Sequence, residues 1–182
     1  ERLKSGSVTW QRAQEVVQAN QAYVFQTPIL LRRSVEDNLA YPLELAALAK
    51  SDRIKRVEMW LDRIDLTEAA RTPAARLSGG EKQKLALARA LITEPELVFL
   101  DEPCSALDGR STRQIEDILR EAVGRGTRLI MATHDLGQAR RLATHLVFLL
   151  HGKCHWSGPS DGVFDTAPTE QIDAFLRGDI IE

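Results

Sequence analysis

An α/β fold built on a parallel sheet is what this sequence predicts, and three observations carry that prediction. Short apolar runs at 97–100, 127–133 and 144–150 alternate with stretches of helical pattern, the order that layers helices on a parallel sheet. The segment 34–91 is helical in pattern and lies between a strand-like run at 22–25 and the strand at 97–100. The run 97–100 leads directly into two adjacent carboxylates, Asp101 and Glu102, and ligands of open α/β sheets bind outside the carboxyl ends of the strands.

Taken in chain order, the elements justify themselves locally. Residues 7–10 read as a short strand after Gly6, and 22–25 as a second that ends at Gln26 and Pro28. Ser34 is a helix cap, with Asp37 in the place where a capping box usually has Glu or Gln. Ile54, Val57, Leu61 and Ile64 recur at helical spacing, and Thr72, Pro73 and Ala74 break the helical run. The continuous apolar run 97–100 suits a parallel strand buried on both faces, and 127–133 reads as a further buried strand. Helices are expected at 109–123, 137–142 and 169–176. Gly152 and Lys153 read as a hairpin turn between the strand 144–150 and Cys154-His155-Trp156.

A chain of 182 residues fits one domain with a real core, and 43% hydrophobic with 27% charged residues is ordinary globular composition. A formal net charge of −2 leaves no electrostatic footprint for nucleic acid. The two cysteines, Cys104 and Cys154, are too few for a disulfide framework and are expected to be free thiols in a reducing compartment. No apolar run approaches the roughly 20 residues that span a bilayer, and no signal-peptide pattern opens the chain. The chain starts at Glu1, and its first ten residues carry no cap or turn cluster. An N-terminal piece is therefore expected to precede it.

Two segments carry chemistry. In Ser78-Gly79-Gly80-Glu81, Ser at the N-cap and Glu at N3 make a capping box ahead of the strong helix former Leu85-Ala86-Leu87-Ala88-Arg89-Ala90-Leu91. One reading is a well-capped helix and nothing more. The other uses the two glycines: they clear side chains from the helix mouth, whose backbone N–H groups then form an anion site. At the strand exit, one of Asp101 and Glu102 can hold Mg²⁺ and the other can act as a general base toward water; the plain alternative is an acidic turn before the next helix. Strand pleating would aim the two carboxylates to opposite sides. His134 closes the run 127–133 and is expected at the same sheet edge, where it could contact phosphate or be merely structural. Gln26 follows another strand exit. No G-x-x-x-x-G-K-S/T phosphate loop occurs in the 182 residues.

With these motifs in this order, the chain resembles the ATP-binding subunit of ABC transporters over nearly its whole length. Leu77 to Glu81 is similar to the family's signature motif, Leu97 to Glu102 to its Walker B strand, and Ser105-Ala106-Leu107-Asp108 to its D-loop. His134 is similar to the switch histidine and Gln26 to the Q-loop glutamine. The resemblance implies a P-loop NTPase (RecA-like) core with a parallel sheet and an inserted helical subdomain, incomplete at its N-terminus. Residues 1–27 and 93–182 would form the core and 28–92 the helical subdomain. It also implies roles. Asp101 supports Mg²⁺ together with Gln26, Glu102 is the general base, and His134 contacts the γ-phosphate. The loop of Gln26 senses the membrane subunits. Ser78, Gly79, Gly80 and Glu81 grip ATP bound to the opposite subunit, and Asp108 sits at the dimer seam.

The implied cofactor is ATP with Mg²⁺. The implied partners are a second ATP-binding subunit, identical or not, transmembrane permease subunits and a substrate-binding protein, with the chain peripheral on the cytoplasmic face of the cell membrane. Glu81 stands where the family most often has glutamine. Without the Walker A loop, the adenine-stacking aromatic and a central strand that accompany it, the chain by itself is expected neither to bind nor to hydrolyse ATP, and to show sheet edges and an uncovered core face. The segment from Pro28 to Leu43 resembles bacterial importers of phosphate or tungstate type. Two alternatives stand beside an importer ATPase: a non-hydrolysing partner that lends its signature motif to another subunit, and a non-transport ABC ATPase.

Overall fold

The computed structural model describes residues 12–105 and 107–179; the strand expected at 7–10 lies outside them. The chain forms two compact units that divide after Ala132.

In the first unit, the described elements run α1 (Gln14–Ala19), β1 (Gln21–Val24), α2 (Val35–Leu45), α3 (Lys50–Arg63), a 3₁₀ turn (Ala74–Arg76), α4 (Gly79–Leu91), β2 (Leu97–Asp101), α5 (Gly109–Gly124) and β3 (Arg128–Ala132). The three strands form one parallel sheet in the order β1-β2-β3, with Val24 beside Leu100 and Asp101 beside Ala132. The sheet's C-terminal edge therefore carries the end of β1, two residues before Gln26, and the end of β2 at Asp101.

The sheet is buried on one face only. Val24, Val98 and Leu100 are buried, while Tyr23 is 51% and Ile130 55% exposed. This corrects the expectation that 97–100 is buried on both faces and that 127–133 is a buried strand. Along β2 burial alternates residue by residue, and along β3 exposed and half-buried residues alternate. The reason is the period of two: Val98 and Leu100 face the helical side, where α4 packs on β1, and their neighbours face away. On the open face Tyr23 lies 4.4 Å from Phe25 and 6.1 Å from Phe99, ring centre to ring centre.

The helical stretch 34–91 divides twice. Ala47 and Asp65 adopt positive φ, at 54° and 56°, and end α2 and α3. The second break thus begins at Ile64, eight residues before the expected one at Thr72. Asp occurs in the left-handed region in many places without ending a helix, and it is the burial of Ile64 and Leu66 on either side of Asp65 that sets the break here. Val35, Leu39 and Leu43 of α2 pack with Val57, Trp60 and Leu61 of α3 and with Leu85 and Leu87 of α4 into one apolar core.

The second unit contains α6 (Leu136–Leu142), β4 (His145–Leu150), β5 (Lys153–Pro159) and α7 (Glu170–Arg177). β4 and β5 form an antiparallel hairpin. Its turn is His151-Gly152, both at positive φ, one residue earlier than read from sequence. Two consecutive left-handed residues match the twist of the flanking strands. Thr169 caps α7, and Gly178 at φ 83° closes it. Phe148 packs edge-on against Phe175, with ring centres 5.2 Å apart.

Leu87 is 1% exposed at the centre of the first unit's core. Leu87→Ala is expected to lower unfolding stability by about 2–5 kcal/mol, since such cavities refill only partly. Urea denaturation followed by circular dichroism checks it; a loss under ~0.5 kcal/mol would remove Leu87 from the core.

Candidate active site

Helix α4 opens on the glycine motif. Ser78 is its N-cap and the capping box is complete: Glu81 N–H donates to Ser78 Oγ over 3.3 Å, and Ser78 N–H donates to Glu81 Oε2 over 2.8 Å. The bonds to Ser78 hold the Glu81 carboxyl below its ordinary pKa, with a smaller contribution from the Lys84 ammonium. The N–H groups of Gly79 and Gly80 have no hydrogen-bond partner among the described residues. A Cβ added at Gly79 would meet nothing within 4 Å. Packing inside this chain therefore does not require glycine there. The bare mouth leaves two N–H donors and the positive end of the helix dipole open to an outside anion. Ser78 and Gly79 are exposed and Gly80 is half-buried.

The two carboxylates leave β2 differently from the sequence expectation. Asp101 is the last strand residue, beside Ala132 of β3. Glu102 has already left the pleat, with φ at 46° in the left-handed region. Its N–H still donates to the Ala132 carbonyl over 2.9 Å, and its own carbonyl accepts from Ser105 N–H over 3.2 Å. The direction of Glu102 is thus set by a tight turn rather than by strand alternation. A non-glycine residue held left-handed costs about 1–3 kcal/mol and persists where neighbouring structure over-determines it, often at a functional site.

Gln26 is exposed, two residues past the end of β1, which neighbours β2. The sheet register brings Gln26, Asp101 and Glu102 to one edge of the first unit. Asp108 caps α5 by accepting from Ser111 N–H over 2.7 Å; that backbone bond is the main cause that holds its carboxyl below the ordinary range, and Lys84 adds a minor part. Ala106, in the same loop, lies outside the described residues. His134 follows β3 by two residues, is exposed, and belongs to the second unit. Next to it Asp135 caps α6, accepting from Gln138 N–H over 2.9 Å.

Sequence reasoning missed Lys84. It is 8% exposed on α4, its Nζ lies 4.0 Å from Asp65, and its charge reaches both the Glu81 cap and the Asp108 cap. A lysine on a helix reads as solvated, and only the burial of nearly all of α4 shows otherwise.

The implied Mg²⁺·ATP fits these donors by chemistry. Asp101 and Gln26 offer hard oxygens at one edge, and Mg²⁺ takes one or two protein oxygens plus waters and phosphate rather than a full protein cage.

Comparison with known proteins decides the family. The ABC transporter family profile matches residues 1–105. The chain belongs to the ABC transporter family. It is 35% identical to the probable anion import ATP-binding protein of Haloferax volcanii, with 86% of this chain and 59% of that protein covered. It is 37% identical to the phosphate import ATP-binding protein PstB 2 of Natronomonas pharaonis, covering 87% of this chain and 59% of that protein. It is 31% identical to the histidine/lysine/arginine/ornithine transport ATP-binding protein of Escherichia coli, covering 80% and 57%. The chain thus spans about three fifths of the length of these relatives. Among solved structures, a dimeric ATP-binding cassette in a post-hydrolysis state with ADP and Pi superposes with TM-score 0.72 at 25% identity, covering 82% of this chain and 68% of that one. The ATP-binding subunit of an ABC transporter superposes with TM-score 0.78 at 24% identity over 90% and 70%, a likeness of fold. The ABC match ends at Ser105; it includes the signature helix and the strand-exit carboxylates and stops short of His134.

Two outcomes follow. Because the folded pKa of Glu81 is depressed, the capping box stabilises this ABC domain above the unfolded carboxylate pKa and loses that contribution as pH falls through the folded value. Glu81→Gln is expected to flatten the acid limb of a stability–pH curve below about pH 4.5; identical limbs would deny the box its charge. Secondly, Glu102→Gly relieves a left-handed φ whereas Asp101→Gly only loosens a strand. The first is expected to leave the thermal midpoint unchanged or higher, and the second to cost about 0.5–1 kcal/mol. Calorimetry on both variants compares them, and a larger loss at Glu102 would contradict the strain.

Proposed function

We propose that this chain is the nucleotide-hydrolysing part of an ABC importer's ATP-binding subunit. The observation that carries the reading is the helix mouth of α4: two glycine N–H groups with no partner among the described residues, open space around Gly79 where a Cβ would stand, and the strand-exit pair Asp101 and Glu102 in the same compact unit.

The roles follow from charge and position. Glu102 is the general base: its carboxylate accepts a proton from the water that attacks the γ-phosphate, and its constrained turn holds it for that transfer. Asp101 and Gln26 would hold Mg²⁺, which neutralises phosphate charge when bound. His134 donates to the γ-phosphate. Ser78, Gly79 and Gly80, with the helix held open by Glu81, grip the γ-phosphate of ATP on a second ATP-binding subunit, and Asp108 lies at the seam between the two. The segment 28–92 serves as the helical subdomain and the remainder as core. Permease subunits are the membrane partners and a substrate-binding protein delivers cargo, which places the chain on the cytoplasmic face of the membrane. No helix among the described residues is itself long and apolar enough to cross one. Names of relatives at 35% and 37% identity favour an anion of phosphate or tungstate type as cargo over the amino acids named for a relative at 31%.

A second reading has one observation in its favour. The signature helix is complete while the 182 residues hold no G-x-x-x-x-G-K-S/T loop. A chain of this kind lends its helix mouth to a partner's ATP without hydrolysing its own.

One experiment separates the two. In a version joined to a phosphate loop, Glu102→Gln is expected to cut steady-state phosphate release by roughly 10²–10⁴-fold and to leave nucleotide affinity intact. On that background, Ser78→Arg fills the helix mouth and is expected to abolish ATP-dependent dimers in size-exclusion chromatography. Undiminished turnover in the first variant removes Glu102 as base and favours the lending role. Normal dimers in the second sink the grip on the opposite subunit's ATP.

A further inference from the structure

At the starting ends of β2 and β3, opposite the end that carries Asp101, residues of α3, α5 and the segments leading into the two strands line a cavity of about 230 Å³. Its floor is apolar: Trp60, Leu91 and Ile118, at 4%, 3% and 6% exposed, with Pro95 beside them. Its rim is charged. Arg63 of α3 lies over the Trp60 ring, its guanidinium carbon 4.6 Å from the ring centre, and pairs with one carboxylate oxygen of Glu121 on α5. Arg125 pairs with the other oxygen of the same carboxylate.

The charges of this rim do not cancel. Arg63 and Arg125 share Glu121, and Glu94 lies 3.8 Å from Arg125 and 3.8 Å from Arg56. Three guanidiniums thus share two carboxylates. The remaining acid on the wall, Glu96, is taken by Arg12. Past Glu121 the surface runs on along Arg110 and Arg113, which form no ion pair among the described residues, while the acids there, Asp65 and Asp117, are engaged by Lys84 and Arg120. Hydrogen-bond capacity is left over as well. A guanidinium carries five N–H donors, and the side-chain bonds of Arg63 use only Nη2. The neutral polar atoms of the wall are satisfied, since Thr127 Oγ1 donates to the Pro95 carbonyl over 2.9 Å.

We propose that this cavity is a binding site for a small organic monocarboxylate with an apolar body, a single ring or a branched chain that carries one acid group. The body fills the floor against Trp60 and Ile118. The carboxylate takes donors from Arg63 and Arg125 at the mouth and supplies the negative charge that the rim lacks. The Arg63 side chain is only 19% exposed, so that attraction is less screened than on an open surface. Volume sets the upper size: at about 30 Å³ for each water-sized group, the space takes roughly eight of them, enough for a one-ring acid and too little for a nucleotide. The site lies at the other end of the strands from Asp101 and Glu102. It goes beyond the hydrolysis reading and does not depend on it.

Proton–nitrogen NMR of the whole chain, titrated with phenylacetate and without nucleotide, tests the site. The Trp60 indole N–H and the amides of Gly126 and Thr127 are expected to shift and saturate with a Kd of about 1 mM, while the amides of Ser78 to Lys82 stay in place. The ring alone, as phenylethanol, the charge alone, as acetate, and the ring with the opposite charge, as phenylethylammonium, are each expected to bind at least about 10-fold more weakly. Arg125→Gln removes one guanidinium and is expected to weaken phenylacetate by about 10-fold. Ala122→Leu keeps a strong helix former on α5, fills the cavity and is expected to abolish the saturable shifts. Should Ala122→Leu not fold, Ala122→Met carries the same comparison. No saturable shift at these residues, equal binding of phenylethanol or the ammonium compound, or unchanged binding in the folded Arg125 or Ala122 variants overturns the proposal. Failure of ATP hydrolysis in the phosphate-loop version leaves this result untouched, so the two readings fail separately.

Discussion

The burial of α4 is the constraint on which the first unit depends. From Gln83 to Ala88 six successive residues are buried, and Leu91 follows. A surface helix buries one stripe; one buried all round must be packed by neighbours on every side. Here α2, β1 and α5 supply them. The helix is therefore fixed in position along its body while its first turn projects into the open, with Ser78 and Gly79 exposed. An anion site gains most from a helix that cannot shift when charge arrives, because its donors are already oriented. The same packing has a local cost. Gln83 is 1% exposed, both its amide atoms lack partners among the described residues, and an unsatisfied buried polar group costs about 1–3 kcal/mol.

Local strain and hydrogen bonds fix the residues that carry the candidate chemistry in the first unit. Glu102 is held left-handed between the β3 ladder and the turn to Ser105. Asp108 and Ser78, which begin α5 and α4, are both N-caps whose side chains accept a backbone N–H. Each cap fixes where a helix starts, and Lys84 lies within electrostatic reach of both. The elements that carry candidate chemistry are thus located by short-range hydrogen bonds, while the core behind them is apolar. Rigid scaffold behind and polar pinning in front is the arrangement that holds catalytic groups to a narrow geometry.

Much of this was legible beforehand. The capping box at Ser78 and Glu81, the strand run at 97–100, the helix opening at Gly109 and the terminal helix from about 169 all rest on interactions spanning a few residues, and each lies within a residue or so of where local chemistry puts it. The break at Asp65, the open sheet face and the buried Lys84 were not legible, and neither was the departure of Glu102 from the pleat. Each depends on what lies across space. Asp tolerates the left-handed region better than most residues, and at Asp65 the burial of Ile64 and Leu66 on either side of it fixes where that tolerance is used.

The sequence by itself determined the parallel α/β class, the order of the motifs and the chemistry available to them, because hydrophobic period and capping are written in neighbouring residues. Only the tertiary structure decided that the sheet is covered on one face, that Gln26, Asp101 and Glu102 share one edge, and that Arg63 and Arg125 meet at one cavity beside Trp60. Those facts join residues as far as 76 positions apart in the chain, as Tyr23 is from its sheet neighbour Phe99. They are fixed by strand register and side-chain reach, which no local pattern encodes.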